Sequence, residues 1–313
     1  MHKIRSFLNR NRKMIILVLG GIVFLILILQ MLNFVAKQTI KNNNKNKDNT
    51  TTNNNLPTTS KITGEKTNTK VAQSNKNIIE KFVDYCNKAN ISSAYEMLTD
   101  ECKNTLYKTE NDFKEYYYNI IFTDIKSINI QNYLSTYDKY TYEVEFFNDS
   151  LQSGNITDTN TAHKDYITVD TISNKINISS LISCYEISGQ NEYNGIKVKV
   201  KQQQIYKDYE KIVVDVENTT NKTVLLDTKK INRTIYAKND KNVEYAAFTN
   251  EISDVLCKIP SNFTRTYSIK INKAYTAGTG TNSIIFSDII NDYETYEREP
   301  SEFKTRIRIN VSW

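Results

Sequence analysis

His163 is the only histidine after His2, and Cys86, Cys102, Cys184 and Cys257 stand far apart with no C-x-x-C spacing. A metal centre built from His and Cys needs several such ligands at short, fixed spacings, so the sequence offers no metal-ligating set. His163 lies in the polar run SGNITDTNTAHKD, which reads as a loop or hairpin end and suits a solvated imidazole better than a general base. Asp84, Asp124 and Asp165 read as surface or capping carboxylates. Nothing supplies a nucleophile oriented by a base. Three further patterns have plain readings. Lys197, Lys199 and Lys201 alternate with apolar residues, a cationic strand face open to an anionic wall polymer or to water alone. Gly278 and Gly280 follow no phosphate-loop pattern and read as a connection between strands. The acidic stretch from Asp288 to Glu302 lacks the spacing and turn glycine of a calcium loop. The expectation is therefore no catalytic, cofactor-binding or metal residue, no cofactor, and a protein that is not an enzyme.

The elements that would carry these residues fall into two units. In residues 76–183, Ile78, Ile79, Phe82, Val83, Cys86 and Ala89 recur at helical spacing and predict a helix over 76–89. Ser92 or Ser93 can cap a second helix, Asp100 opens a third, and Thr109 with Asp112 reads as a capping pair for a fourth. That fourth helix is expected to bury Phe113, Tyr116, Tyr117, Ile120 and Ile121. The period then drops to two at Tyr140, Tyr142, Val144 and Phe146, again at Ile167 and Val169, with Ile176 and Ile178 suggesting another strand. Helices first and antiparallel strands afterwards describe an α+β unit. In residues 184–313, alternation at 196–200, 212–216, 223–226, 231–237, 244–248, 267–271, 283–286 and 305–311 predicts short strands in an antiparallel β-sandwich. The four cysteines are free to pair there, Cys86 with Cys102 among the options, or to be buried as small apolar side chains.

Residues 14–36 form a 23-residue stretch broken only by Gln30 and Asn33, and at ~1.5 Å per helical residue it crosses a hydrocarbon core of ~30 Å. Lys3, Arg5, Arg10, Arg12 and Lys13 precede it in a basic tail, residues 1–13, and favour a cytoplasmic N-terminus with an extracellular body. Lys37, Lys41, Lys45 and Lys47 follow the span, so an inward body is the alternative topology. A cleaved signal fits less well, because its apolar core is about 7–15 residues and ends at a small-x-small site. Residues 37–75, with NNNKNKDNTTTNNNLPTTS, bury too little to fold and read as a disordered Asn/Thr/Lys tether with a span of roughly 35 Å.

Charge follows this division. Residues 1–76 hold thirteen Lys and Arg against Asp48 and Glu65, while the remainder holds 28 against 33 acidic residues. The basic excess suits a membrane flank, and the mildly acidic body excludes nucleic acid as the expected partner.

Residues 78–122, IIEKFVDYCNKANISSAYEMLTDECKNTLYKTENDFKEYYYNIIF, with DYIT at 165–168, resemble the nuclear-transport-factor-two-like cone fold, in the versions found behind a membrane anchor in clostridial envelope proteins. The run KIVVDVENTTNKTVLLD, with Val214, Val216, Asn218 and Thr220 in a V-x-V-x-N-x-T pattern, resembles the immunoglobulin-like sandwiches of Gram-positive surface proteins. These resemblances imply one transmembrane helix, a cone-fold domain over 76–183 and a sandwich over 184–313. They point to a single-pass, non-catalytic envelope protein that binds or scaffolds at the cell surface, with the lipid bilayer and an envelope protein or wall polymer as partners. Cone-fold enzymes place an Asp–His or Tyr–Asp pair in the pocket. A type IV secretion or conjugation scaffold is one alternative. A small-ligand sensor is another, with a cone pocket lined by several of Tyr116, Tyr117, Tyr140 and Tyr142.

Overall fold

Side-chain caps open the helices of the first unit. In the computed structural model, which describes residues 56–148, 162–276, 279–301 and 306–313, the Asn68 side chain accepts from the Lys70 N–H and starts α1 (Thr69–Asn87). The helix begins before residue 76 because Ala72 and Asn75 are already buried, Asn75 donating to the Tyr142 hydroxyl at 3.0 Å. Asn90 caps α2 (Ile91–Glu96) and Thr99 caps α3 (Asp100–Thr105). Thr109 and Asp112 form a reciprocal capping box on α4 (Glu110–Phe113).

α1 ends at a strained residue. Ala89 sits at φ 53°, in the left-handed region, with its N–H donating to the Cys86 carbonyl and the next N–H, of Asn90, to the Tyr85 carbonyl. That position favours glycine, since a Cβ there crowds the following carbonyl. Ala89→Gly is expected to stabilise the fold by about 0.5–1 kcal/mol, read as a higher denaturation midpoint with unchanged slope.

Past α4 the helix widens into a π-helical segment (Lys114–Tyr118) before α5 (Asn119–Ile121). The wider turn puts positions four apart on one face, so Phe113, Tyr117 and Ile121 are buried. Tyr116 and Ile120, expected in the core from a 3.6-residue period, are turned out to solvent at 67% and 62% exposure.

The strands that follow, β1 (Lys126–Ser135), β2 (Lys139–Asn148), β3 (His163–Asp170) and β4 (Lys175–Asn177), pair antiparallel in chain order. Tyr142, Val144, Phe146, Ile167 and Val169 face the helices and complete a core with Phe82, Phe113, Tyr117 and Phe122. The opposite face is partly covered as well. Glu143, on the polar side of the β2 alternation, is buried under Lys61 at 3.0 Å and Lys164 at 2.6 Å.

Lys61 belongs to the stretch read as a disordered tether, and the structure corrects that reading for residues 58–75. Thr59 and Lys66 bridge, the Lys61 N–H donates to the Asn132 carbonyl at 3.0 Å, and the Ser60 hydroxyl donates to the Tyr133 carbonyl at 2.8 Å. An unpaired edge strand offers backbone partners to a segment with little apolar surface of its own, and β1 is such an edge. The expected basic tail (1–13), transmembrane helix (14–36) and tether residues 37–55 lie outside the described residues. Among the described residues no helix is long and apolar enough to cross a membrane.

The rest of the chain carries β5 (Leu181–Tyr193), β6 (Ile196–Tyr206), β7 (Glu210–Asn218), β8 (Val224–Leu225), β9 (Ile235–Asn239), β10 (Glu244–Ala246), α6 (Asp254–Cys257), β11 (Lys258–Ile259), β12 (Phe263–Ile271), β13 (Thr281–Ile289), α7 (Tyr293–Arg298) and β14 (Ile307–Ser312). Two four-stranded antiparallel sheets, β12-β7-β6-β5 and β10-β9-β13-β14, enclose a second core of Val198, Val200, Val214, Val216, Ile269, Ile284, Phe286 and Ile309, among others. The turn after β7 is tied by the fully buried Asn218, whose amide donates to the carbonyls of Lys222, Ile259 and Pro260. β14 crosses β5 at Gly189, where any Cβ would stand 2.1 Å from the Ser312 carbonyl oxygen.

β5 and β6 serve both cores. Leu181 and Tyr206, at one end of their paired ladder, pack in the first core, and Ile196, Val198 and Val200 in the second. A boundary at 183/184 therefore falls inside a strand, and residues 56–313 make one compact unit. At ~3.3 Å per residue a thirteen-residue strand is about 43 Å long, enough to reach across two cores.

Candidate functional site

The residues with chemical potential are dispersed by the fold, with one exception. His163 is the exposed first residue of β3. Two positions on, Asp165 is buried, contrary to the surface or capping role expected of it. Its carboxylate accepts from the Tyr117 hydroxyl at 3.0 Å, the Ser179 and Ser180 N–H groups at 2.9 Å each, and the Tyr166 N–H at 2.7 Å. Ser179 and Ser180 both hold left-handed backbone (φ 55° and 61°), which turns their N–H groups toward the carboxylate. Burial raises the Asp165 carboxyl above the usual carboxylate range, against the pull of those four donors. Tyr116, Tyr117, Ile120, His163, Lys164 and Ser180 border a hollow of about 310 Å³ over it. With its lone pairs engaged by the turn between β4 and β5, Asp165 acts as a pin for that turn. The sequence held one signal for it: Asp165 falls in the same alternation phase of β3 as the buried Ile167 and Val169.

Asp84 is exposed and pairs with Lys88 at 2.8 Å, and Asp124 is exposed in the connection to β1. The four cysteines are free thiols, Cys86, Cys102 and Cys257 buried. Burial pushes the Cys102 thiol up to about 12 and the Cys257 thiol up to about 11, leaving both inert near neutrality. The lysine stripe is neutralised within its own sheet. Lys197 stands opposite Glu217 and Lys199 opposite Asp215, and Lys201 reaches Asp215 at 3.2 Å. The acidic stretch is divided among structural tasks. Asp288 is buried against Arg306 at 3.2 Å, and Asp292 caps α7 and pairs with Lys222. Gly278 and Glu302 lie outside the described residues.

The four tyrosines named for a cone pocket do not converge. Tyr116 is exposed, Tyr140 is half-buried, Tyr142 is buried with its hydroxyl held by Asn75, and Tyr117 is locked to Asp165. The space between helices and sheet is filled by aromatic rings. Phe82, Phe113, Tyr117, Phe122 and Phe146 sit in contact, with centroid separations of 5.7 to 6.5 Å.

An open cleft lies instead where the first sheet meets the sheets of the second core. Its volume is about 380 Å³. One wall is the β1–β2 turn with Thr136, Tyr137, Asp138 and Lys139; the other is Ser183 and Tyr185 of β5 with Tyr275 and Gly280 of the β12–β13 connection. Beneath the floor Lys273 Nζ meets Glu210 Oε1 at 2.7 Å, both side chains shielded from solvent. Glu210 Oε2 accepts from Gln203 Nε2 at 2.9 Å and the Thr281 hydroxyl at 2.6 Å, and Trp313, the last residue, donates to Gln203 Oε1 at 3.4 Å. Lys139 is held to Glu101 of α3 at 2.7 Å, which ties the β1–β2 wall of the cleft to the helices. Tyr137 is 99% exposed at the tip of the turn and Tyr185 is 53% exposed. No local pattern in the sequence marks Glu210, Lys273 or this cleft, because the partners that meet there are distant along the chain.

Comparison of the chain with protein-family models, curated proteins and solved structures gave no match.

Proposed function

We propose that the chain is a non-catalytic, membrane-anchored envelope protein, held in the lipid bilayer through residues 14–36 with its C-terminal body extracellular, whose body binds a partner or ligand at the cell surface. In this reading the first unit is a cone-fold domain of the nuclear-transport-factor-two-like kind and the second an immunoglobulin-like sandwich. The order of four capped helices before an antiparallel sheet supports the first assignment, and the core enclosed by two four-stranded sheets supports the second. The observation that carries a binding role is the cleft at the junction of the units, with solvent-exposed tyrosines over a rigid polar floor. A small-ligand role moves from the cone interior, filled by its own rings, to this junction.

Protease applied to intact, sealed cells is expected to digest the body and leave the N-terminal anchor. A body that survives while the cells stay sealed overturns the extracellular placement. Crosslinking in whole cells is expected to recover an envelope protein or wall fragment; recovery of cytoplasmic proteins alone would sink the surface role.

A further inference from the structure

We propose that the junction cleft binds a neutral pyranoside chain, an inference that rests on reading the body as a binding module. Three rings, Tyr137, Tyr185 and Tyr275, line the cleft, and none of them stacks on another ring or carries a cation among the described residues. Tyrosine presents an apolar face and a polar tip, the combination that sits favourably where one side of a ligand is greasy and the other wet. The same lining includes Thr136, whose hydroxyl donates to the Lys139 carbonyl at 2.8 Å and can still accept, Ser183, and Asp138, whose carboxylate no described residue bonds. A sugar ring has the same two-sided character: a face of C–H bonds that lies on an aromatic ring, and a rim of hydroxyls that donate and accept. The volume, about 380 Å³, is at the small end of ligand pockets, roughly 300–1,000 Å³. It accommodates one or two rings, and the exposed Tyr137 and Tyr185 at the rim give a longer chain surface to lie on.

Charge selects against a polyanion. The Lys273–Glu210 pair is internally neutral, and Lys139 is engaged by Glu101. Asp138 is left as the uncompensated charge, so a phosphate-rich polymer would meet a carboxylate and no free cation. A neutral saccharide instead finds an acceptor for its hydroxyls.

The test uses the full chain in detergent, titrated calorimetrically with the tetramer of N-acetylglucosamine and separately with poly(glycerol phosphate). Saturable binding of the tetramer is expected, weakened at least about ten-fold in Tyr137→Ala and in Tyr185→Ala, with no uptake of the phosphate polymer. Gly280→Leu supplies a blocking variant. Gly280 is outside the left-handed region, and a Cβ there meets nothing closer than Gln203 Nε2 at 3.8 Å, so a larger side chain enters the cleft without clashing at its base. It should abolish binding while leaving the denaturation midpoint unchanged. The proposal is overturned if the wild-type chain ignores the tetramer, if all three variants bind it as the wild type does, or if the phosphate polymer binds in its place. Protease shaving is independent of these results: a body that is digested on sealed cells yet ignores the tetramer keeps its surface placement and loses this ligand.

Discussion

Lys273→Met is expected to destabilise the protein by about 3–5 kcal/mol, because it strands a buried carboxylate without its counter-ion. Glu210 is completely buried and Lys273 nearly so, and they meet at 2.7 Å in the lining of the cleft. Gln203 and Thr281 still donate to the other Glu210 oxygen, which keeps that oxygen satisfied but leaves the charge uncompensated. Removing the charge as well should reverse most of the loss. In Glu210→Gln combined with Lys273→Met, the glutamine oxygen still accepts from Gln203 and Thr281, and no ion remains in the interior. Chemical denaturation of the wild type, both single variants and the double variant closes the cycle. A double variant no more stable than Lys273→Met alone would show that the pair is not the source of the effect.

Asp165→Ala is the second large effect, expected at about 3 kcal/mol or more, since it leaves buried donors unmatched at ~1–3 kcal/mol each. The Tyr117 hydroxyl and the N–H groups of Ser179 and Ser180 all lose their acceptor, and two residues in left-handed backbone lose the contact that holds them there. Asp165→Asn keeps one acceptor oxygen and should fall between. The sign of the pH dependence follows from the raised carboxyl. The folded state holds this proton at a pH where the unfolded chain has released it, so the contribution is fully present below the ordinary carboxylate range and is lost as pH rises through the folded value. The stability gap between wild type and Asp165→Asn should therefore narrow on going from about pH 4 to pH 7. A gap that widens over that interval would mean that the hydrogen bonds outweigh burial and that the carboxyl is depressed. Unfolding of Asp165→Ala at the wild-type midpoint would remove the pin altogether.

Legibility in the sequence tracked how local each interaction is. The Thr109–Asp112 box spans a single turn and was readable as spelled. The alternation of Val198 and Val200 with lysines, and of Val214 and Val216 with acids, repeats often enough to mark β6 and β7 with one face inward. β1 and β5 escaped notice because neither alternates cleanly. β1 carries Asn129, Gln131 and Asn132 among its isoleucines, and β5 is interrupted by register shifts at both ends of its first half. Tyr116 and Ile120 misled the reading for a different reason. Their spacing is right for an α-helix, and one widened turn is enough to rotate them out of the core.

By itself, the sequence determined the strongest local periods: the curl of α1, the extension of β2, β6 and β7, and which side of β6 and β7 must face inward. These follow from side chains a few positions apart, which neighbouring residues set without outside help. Only the tertiary structure decided that Asp165, Glu210 and Lys273 are interior, that residues 58–67 cover the β1 edge, and that the cleft opens between the units rather than inside the first. A charged residue is buried when partners distant along the chain arrive to satisfy it, as Ser179 does for Asp165 and Lys273 for Glu210. Those meetings are made by sheet register and by two strands long enough to serve both cores, and nothing in the local pattern around the carboxylate announces them.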